Sequence, residues 1–128
     1  MIFVDTNYFL RFLLNGNKDQ NSEAKKLFLA AALGKEELIS SNIVFFEISW
    51  VLGSSYKLDK SDLVVILRKL LQLNVDFNDR DLLIKTIDLF NNTKLSLEDC
   101  YNLIFSKEIG VKEFRTFDVK LLKQFKGL

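Results

Sequence analysis

At 128 residues, with 48% hydrophobic side chains, five glycines and no proline, the chain can bury a core and is too apolar for disorder, so one domain over residues 1–128 is expected. Eighteen basic against 17 acidic residues leave a net charge of +1, which excludes a bulk-basic nucleic-acid binder and leaves that role to a local patch. A lone cysteine, Cys100, excludes an internal disulfide and Cys-x-x-Cys sites, and the lack of histidine excludes Ser-His-Asp and Cys-His catalysis and nearly all zinc hydrolase centres.

The chain opens with Ile2-Phe3-Val4, a short apolar run that reads as a buried strand. Asp5 breaks the run, and residues 6–14 follow with a helical face of Phe9, Leu10, Phe12 and Leu13, stopped by Asn15-Gly16-Asn17. A second helix runs from Gln20 to Leu33, with Gly34 as its terminator. Residues 37–40 suit a second strand. Ser41 and Asn42 are N-cap candidates for an almost wholly apolar helix from Ile43 to Leu52, ended by Gly53-Ser54-Ser55.

Asp59 to Asp62 opens a helix over residues 63–71, and residues 74–77 suit a third strand. Residues 79–91 are amphipathic, with Leu82, Leu83, Ile87 and Phe90 on one side. A helix over residues 96–109 ends at Gly110; residues 113–117 suit a fourth strand; Val119 to Phe125 forms the last helix. Short strands separated by helices argue a parallel sheet covered on both faces. The expected fold is therefore α/β: a helix-heavy, three-layer α/β/α sandwich around a short, mainly parallel sheet of four to five strands. No stretch suits a signal peptide or a membrane span, so a cytoplasmic protein is expected.

Without histidine, carboxylates and oxygen-seeking cations are the tools left for hydrolysis, and four acids stand out. Asp5 ends the first strand, at the sheet edge where open α/β sheets hold ligands, although a helix N-cap explains it equally well. Glu47 is the one carboxylate in Ile43–Leu52, a run whose all-round apolarity predicts that Glu47 is drawn into the interior or a cleft, the alternative being a lone polar stripe with Ser49 that faces water. Asp99 lies in Ser96-Leu-Glu-Asp99, which matches capping-box spacing. Asp118 follows the fourth strand candidate and so repeats the arrangement at Asp5, which would set both acids on one sheet edge. Asp76, Asp79, Asp81 and Asp88 read as solvated charges, and Cys100 as a small core residue.

Taken together, Val4-Asp5-Thr6-Asn7, Glu47 in an apolar helix, Asp99 opening a late helix and Thr116-Phe117-Asp118 near the end resemble the PIN-domain nucleases, most of all the VapC-type toxins of toxin–antitoxin pairs. The likeness spans essentially the whole chain. It implies a metal-dependent endoribonuclease in which Asp5, Glu47, Asp99 and Asp118 hold Mg²⁺ or Mn²⁺, with Asn7 and Thr116 as polar neighbours. Such ions suit hard oxygen ligands and can activate water against a phosphodiester. Arg11, on the same helical face as Asn7, is placed to contact a phosphate, and Lys120, Lys123 and Lys126 offer either a basic rim or a solvated face. The resemblance also implies an RNA substrate and an antitoxin partner, and the twelve phenylalanines leave room for an apolar groove that takes a partner helix or a second copy.

Other classes face the same residues less well. A phosphoacceptor receiver domain needs adjacent acids after the first strand, where this chain has Thr6-Asn7, and an aspartyl-phosphate phosphatase needs an aspartate where Asn7 stands. No Gly-x-Gly-x-x-Gly follows the first strand, so a dinucleotide site is excluded. The remaining alternative is a catalytically inactive PIN-like module that binds RNA or protein; it predicts a decayed acid set, and all four acids are present.

Overall fold

The computed structural model describes all residues, 1–128, and they cluster into two compact units, Met1–Arg80 and Asp81–Leu128. The first holds β1 (Ile2–Phe3), α1 (Thr6–Leu13), α2 (Lys18–Ala32), β2 (Leu38–Ser40), α3 (Asn42–Ser54), α4 (Lys60–Gln72) and β3 (Val75–Phe77). Its sheet is parallel throughout in the order β1-β2-β3, with Ile2 opposite Leu38 and Leu38 opposite Val75. Parallel pairing needs a crossover between strands. Here each crossover is a pair of helices: α1 and α2 between β1 and β2, then α3 and α4 between β2 and β3.

The helix boundaries follow local chemistry. Asn17, Ser41 and Asp59 stand at N-cap positions with extended backbone, and their side-chain oxygens accept from Gln20, Val44 and Asp62 main-chain N–H groups. At the end of α2, Gly34 adopts φ +75, and the N–H groups of Gly34 and Lys35 donate to the carbonyls of Ala31 and Ala30. That is a Schellman ending, which a Cβ would strain. Gly53, expected to stop α3, lies inside its last turn.

The interior of this unit is built on phenylalanine. Phe9 lies 5.3 Å from Phe28 and 5.9 Å from Phe77, ring centre to ring centre, so α1, α2 and β3 meet around one aromatic group. Asn21, buried on α2, donates to the carbonyls of Arg11 and Phe12 and fastens α2 to the end of α1. Arg80 donates to the carbonyls of Leu73 and Val75 and ties the chain down after β3.

The second unit holds α6 (Leu97–Glu108), α7 (Val119–Gly127) and nearly all of α5 (Arg80–Asn92). Leu103, Leu121 and Phe125 form a buried cluster, with Leu89, Leu95, Val111 and Phe114 packed on it. Gly110, at φ +78, closes α6 with the same Schellman pattern through the carbonyls of Lys107 and Ser106.

The sheet has three strands, not the four to five expected. Residues 113–117 form no strand. Their side chains make local contacts instead of a ladder: Phe114 stacks on Phe125 at 5.1 Å and Glu113 pairs with Arg115 at 2.9 Å, while Phe117 stands fully in solvent. No helix of the structure is long and apolar enough to cross a membrane.

Candidate functional site

Parallel strands deliver their carboxyl ends to one edge, and in the first unit that edge carries Asp5 two residues after β1 and the start of α3 two residues after β2. Asp5 is the N-cap of α1, and its Oδ1 accepts from the Thr6 N–H at 2.8 Å. The cap uses one carboxylate oxygen, so the role of ligand and the role of cap are compatible in this residue. Thr6, the next residue, is 4% exposed, and its buried hydroxyl has no hydrogen-bond partner. A buried hydroxyl without a partner is costly and marks a place for a water or an ion.

Glu47 is exposed, contrary to the expectation that α3 would draw it inward. Val44, Phe45, Ile48, Ser49 and Leu52 take the buried face, and the opposite stripe of Ile43 (77% exposed), Glu47 and Trp50 (65%) faces outward. Apolar residues thus occupy both faces of α3, and composition could not reveal which of them the core uses.

In the second unit, Asp99 is half-buried in the first turn of α6, and its N–H donates to the Oγ of the N-cap Ser96 at 3.1 Å. Asp118 caps α7: its Oδ1 accepts from the Leu121 N–H at 3.1 Å, and its own N–H donates to Thr116 Oγ1 at 3.0 Å. Thr116 therefore orients Asp118, but from a loop. The supposed repeat of the strand-end aspartate fails because no strand precedes Asp118. Lys120 and Lys123 line a cleft of about 510 Å³ with Lys94, whereas Lys126 lines another of about 320 Å³ with Lys112 and Arg115. Cys100 is buried, 3.7 Å from Thr93 Oγ1.

Asn7 and Arg11 both line a third cleft, of about 220 Å³, with Tyr8, Gln20 and Glu23. Arg11 Nε donates to Gln20 Oε1 at 2.6 Å, and the Tyr8 hydroxyl donates to Glu23 Oε1 at 3.2 Å. The bond to Glu23, more than the charge of Glu23, raises the Tyr8 pKa above its ordinary value. Nothing in the sequence singles out Tyr8 of α1, and Gln20 and Glu23 of α2 look like any solvated helix face apart from their three-residue spacing.

The PIN domain family profile matches residues 2–127. The chain belongs to the PIN domain family. PIN domains are in general nucleases that use divalent metals. No curated protein matches the sequence well enough to count as a relative.

No group of three or more acidic or cysteine side chains gathers where it could hold a metal ion. What this PIN domain offers a hard cation is donor chemistry: the Asp5 carboxylate, the unpartnered hydroxyl of Thr6 next in sequence, and exposed or half-buried carboxylates at Glu47, Asp99 and Asp118. Each is an oxygen donor of the kind that Mg²⁺ and Mn²⁺ prefer.

Proposed function

We propose that this protein is a Mg²⁺- or Mn²⁺-dependent endoribonuclease, acting in the cytoplasm as the toxin of a toxin–antitoxin pair. The observation that carries the reading is Asp5: an aspartate at the carboxyl edge of a parallel sheet, followed in sequence by a residue with an unsatisfied buried hydroxyl, in a chain that matches the PIN family over 2–127.

By the family resemblance, the acids proposed as metal ligands are Asp5, Glu47, Asp99 and Asp118. When bound, the ion lowers the pKa of the attacking water and offsets charge on the phosphate. The chain's own groups do the positioning. The cap bond to Thr6 fixes the Asp5 rotamer, and Thr116 fixes the main chain of Asp118. Arg11, half-buried and held through Nε by Gln20, keeps its terminal N–H groups for a phosphate or a base. Lys94, Lys120 and Lys123 form a cleft with no acid in its lining, suited to a polyanion backbone. The exposed Ile43 and Trp50 on α3 suit an antitoxin helix or a second copy of the chain.

Metal-dependent cleavage of single-stranded RNA tests the reading. Fragments that vanish with EDTA and in the Asp5→Asn chain support it, and intact RNA at every metal concentration opposes it.

A further inference from the structure

The cleft between α1 and α2 holds an unusual set of side chains: an aromatic ring, a guanidinium and a carboxylate around about 220 Å³, with two amides. Tyr8 and Arg11 stand three residues apart on α1; Gln20 and Glu23 stand three apart on α2. Each pair therefore projects from one helix face. The two helices are held in fixed register by Asn21, which donates to the Arg11 and Phe12 carbonyls, and by Phe28, which packs 5.3 Å from Phe9 and 4.9 Å from Phe12. The cleft is thus built on a fastened frame.

Within it each ion is held by a neutral neighbour. Arg11 spends Nε on Gln20 and keeps its two terminal nitrogens; Glu23 accepts from Tyr8 on one lone pair of Oε1 and keeps the second, with both of Oε2, so each oxygen can still take a donor. A ligand that satisfies both must offer two acceptors to a guanidinium and two donors to a carboxylate. It must also be flat, to use the Tyr8 ring.

Among nucleobases only guanine does this. Its O6 and N7 are adjacent acceptors that match an arginine fork, and N1–H and N2–H are adjacent donors that match a carboxylate. Adenine sets an acceptor beside its donor, cytosine does the same, and uracil has one donor between two carbonyls. Single-stranded RNA exposes these base edges and lets the ring stack on an aromatic side chain.

We infer that this cleft reads a guanine of the RNA, with Glu23 on its N1–H and N2–H, Arg11 on O6 and N7, and Tyr8 as the stacking platform. The inference rests on the nuclease reading, because it makes the base a part of that substrate. Asn7, which lines the cleft two residues after Asp5, sets the base close along the chain to the metal-binding aspartate.

Binding in EDTA separates this from cleavage. Labelled five-residue oligouridylates carrying a central G, A, C or U are titrated into the Asp5→Asn chain and followed by fluorescence anisotropy. The guanine probe is expected to bind roughly tenfold more tightly than the other three, the discrimination typical of a good two-point base contact. Glu23→Gln and Arg11→Gln should each erase most of that preference while circular dichroism stays unchanged. In the unmodified chain, guanosine monophosphate should shift the Tyr8 ring resonances and adenosine monophosphate should not. Equal affinity for the four probes, or a preference that survives both substitutions, overturns the inference. Guanine-selective binding without any RNA cleavage keeps it and removes the nuclease reading; cleavage with no base preference keeps the nuclease and removes the guanine site.

Discussion

The Ser40 hydroxyl donates to the main-chain carbonyl of Val4 at 2.8 Å, inside the protein and across 36 residues of sequence. Val4 immediately precedes Asp5, and Ser40 immediately precedes the Ser41 cap of the helix that carries Glu47. One buried hydrogen bond therefore fixes the ends of two neighbouring strands at the edge where the candidate site begins.

Ser40→Ala removes that donor and leaves the Val4 carbonyl short of a partner. The expected cost is about 1–3 kcal/mol of stability. Urea denaturation checks it: the midpoint should fall with an unchanged slope.

The aromatic group under α1 is a larger contributor. Phe9 is wholly buried against Phe28 and Phe77. Phe9→Ala should cost about 3–5 kcal/mol, enough to unfold a domain of marginal stability. A loss below about 1 kcal/mol would mean that the ring contacts matter less than the burial suggests.

Gly34→Ala tests the end of α2. No atom lies within 4 Å of an added Cβ, so the penalty comes from the backbone at φ +75 alone. About 1–2 kcal/mol is expected from placing an L-residue in the left-handed region. Gly53→Ala, in ordinary helical backbone with equal room, should instead stabilise by a few tenths to about 1 kcal/mol.

Lys85 and Glu108 form an exposed ion pair in the second unit, and the hydrogen bond to Glu108 raises the Lys85 pKa. A raised folded-state pKa means that the stabilisation is present in full below the unfolded lysine value of about 10.4 and is lost as pH rises through the folded one. Lys85→Met should therefore lower stability slightly at pH 7, and the difference should shrink toward pH 12 and in 1 M salt, as thermal melts across pH and salt would show.

Much of the fold was legible in the sequence, because strong local signals agreed with the tertiary structure. Gly34 and Gly110 end α2 and α6, Ser41 caps α3, and the opening apolar run holds the first strand at Ile2–Phe3, although Phe3, expected to be buried, is 55% exposed. The errors fell where one pattern admits two packings. Glu113 to Phe117 carries the phenylalanine and threonine that strands favour, yet without a ladder partner its Phe114 packs on Phe125 instead. Glu47 sits among apolar residues, but Ile43 and Trp50 share its exposed stripe. The cleft at Tyr8 and Glu23 was invisible, since it arises from the register of two helices and not from either sequence segment.

The proposed nuclease activity rests on Asp5, and substitution by asparagine is the sharpest probe of it. Asparagine keeps an oxygen for the Thr6 cap and removes the charge. RNA hydrolysis should be followed for the unmodified and Asp5→Asn chains in 5–10 mM Mg²⁺ or Mn²⁺ (about the range that saturates weak oxygen sites), with EDTA as control. Cleavage should depend on metal and fall by a factor of about 100 or more in Asp5→Asn with unchanged thermal stability. Equal cleavage by both chains, or none by either, would contradict the proposal.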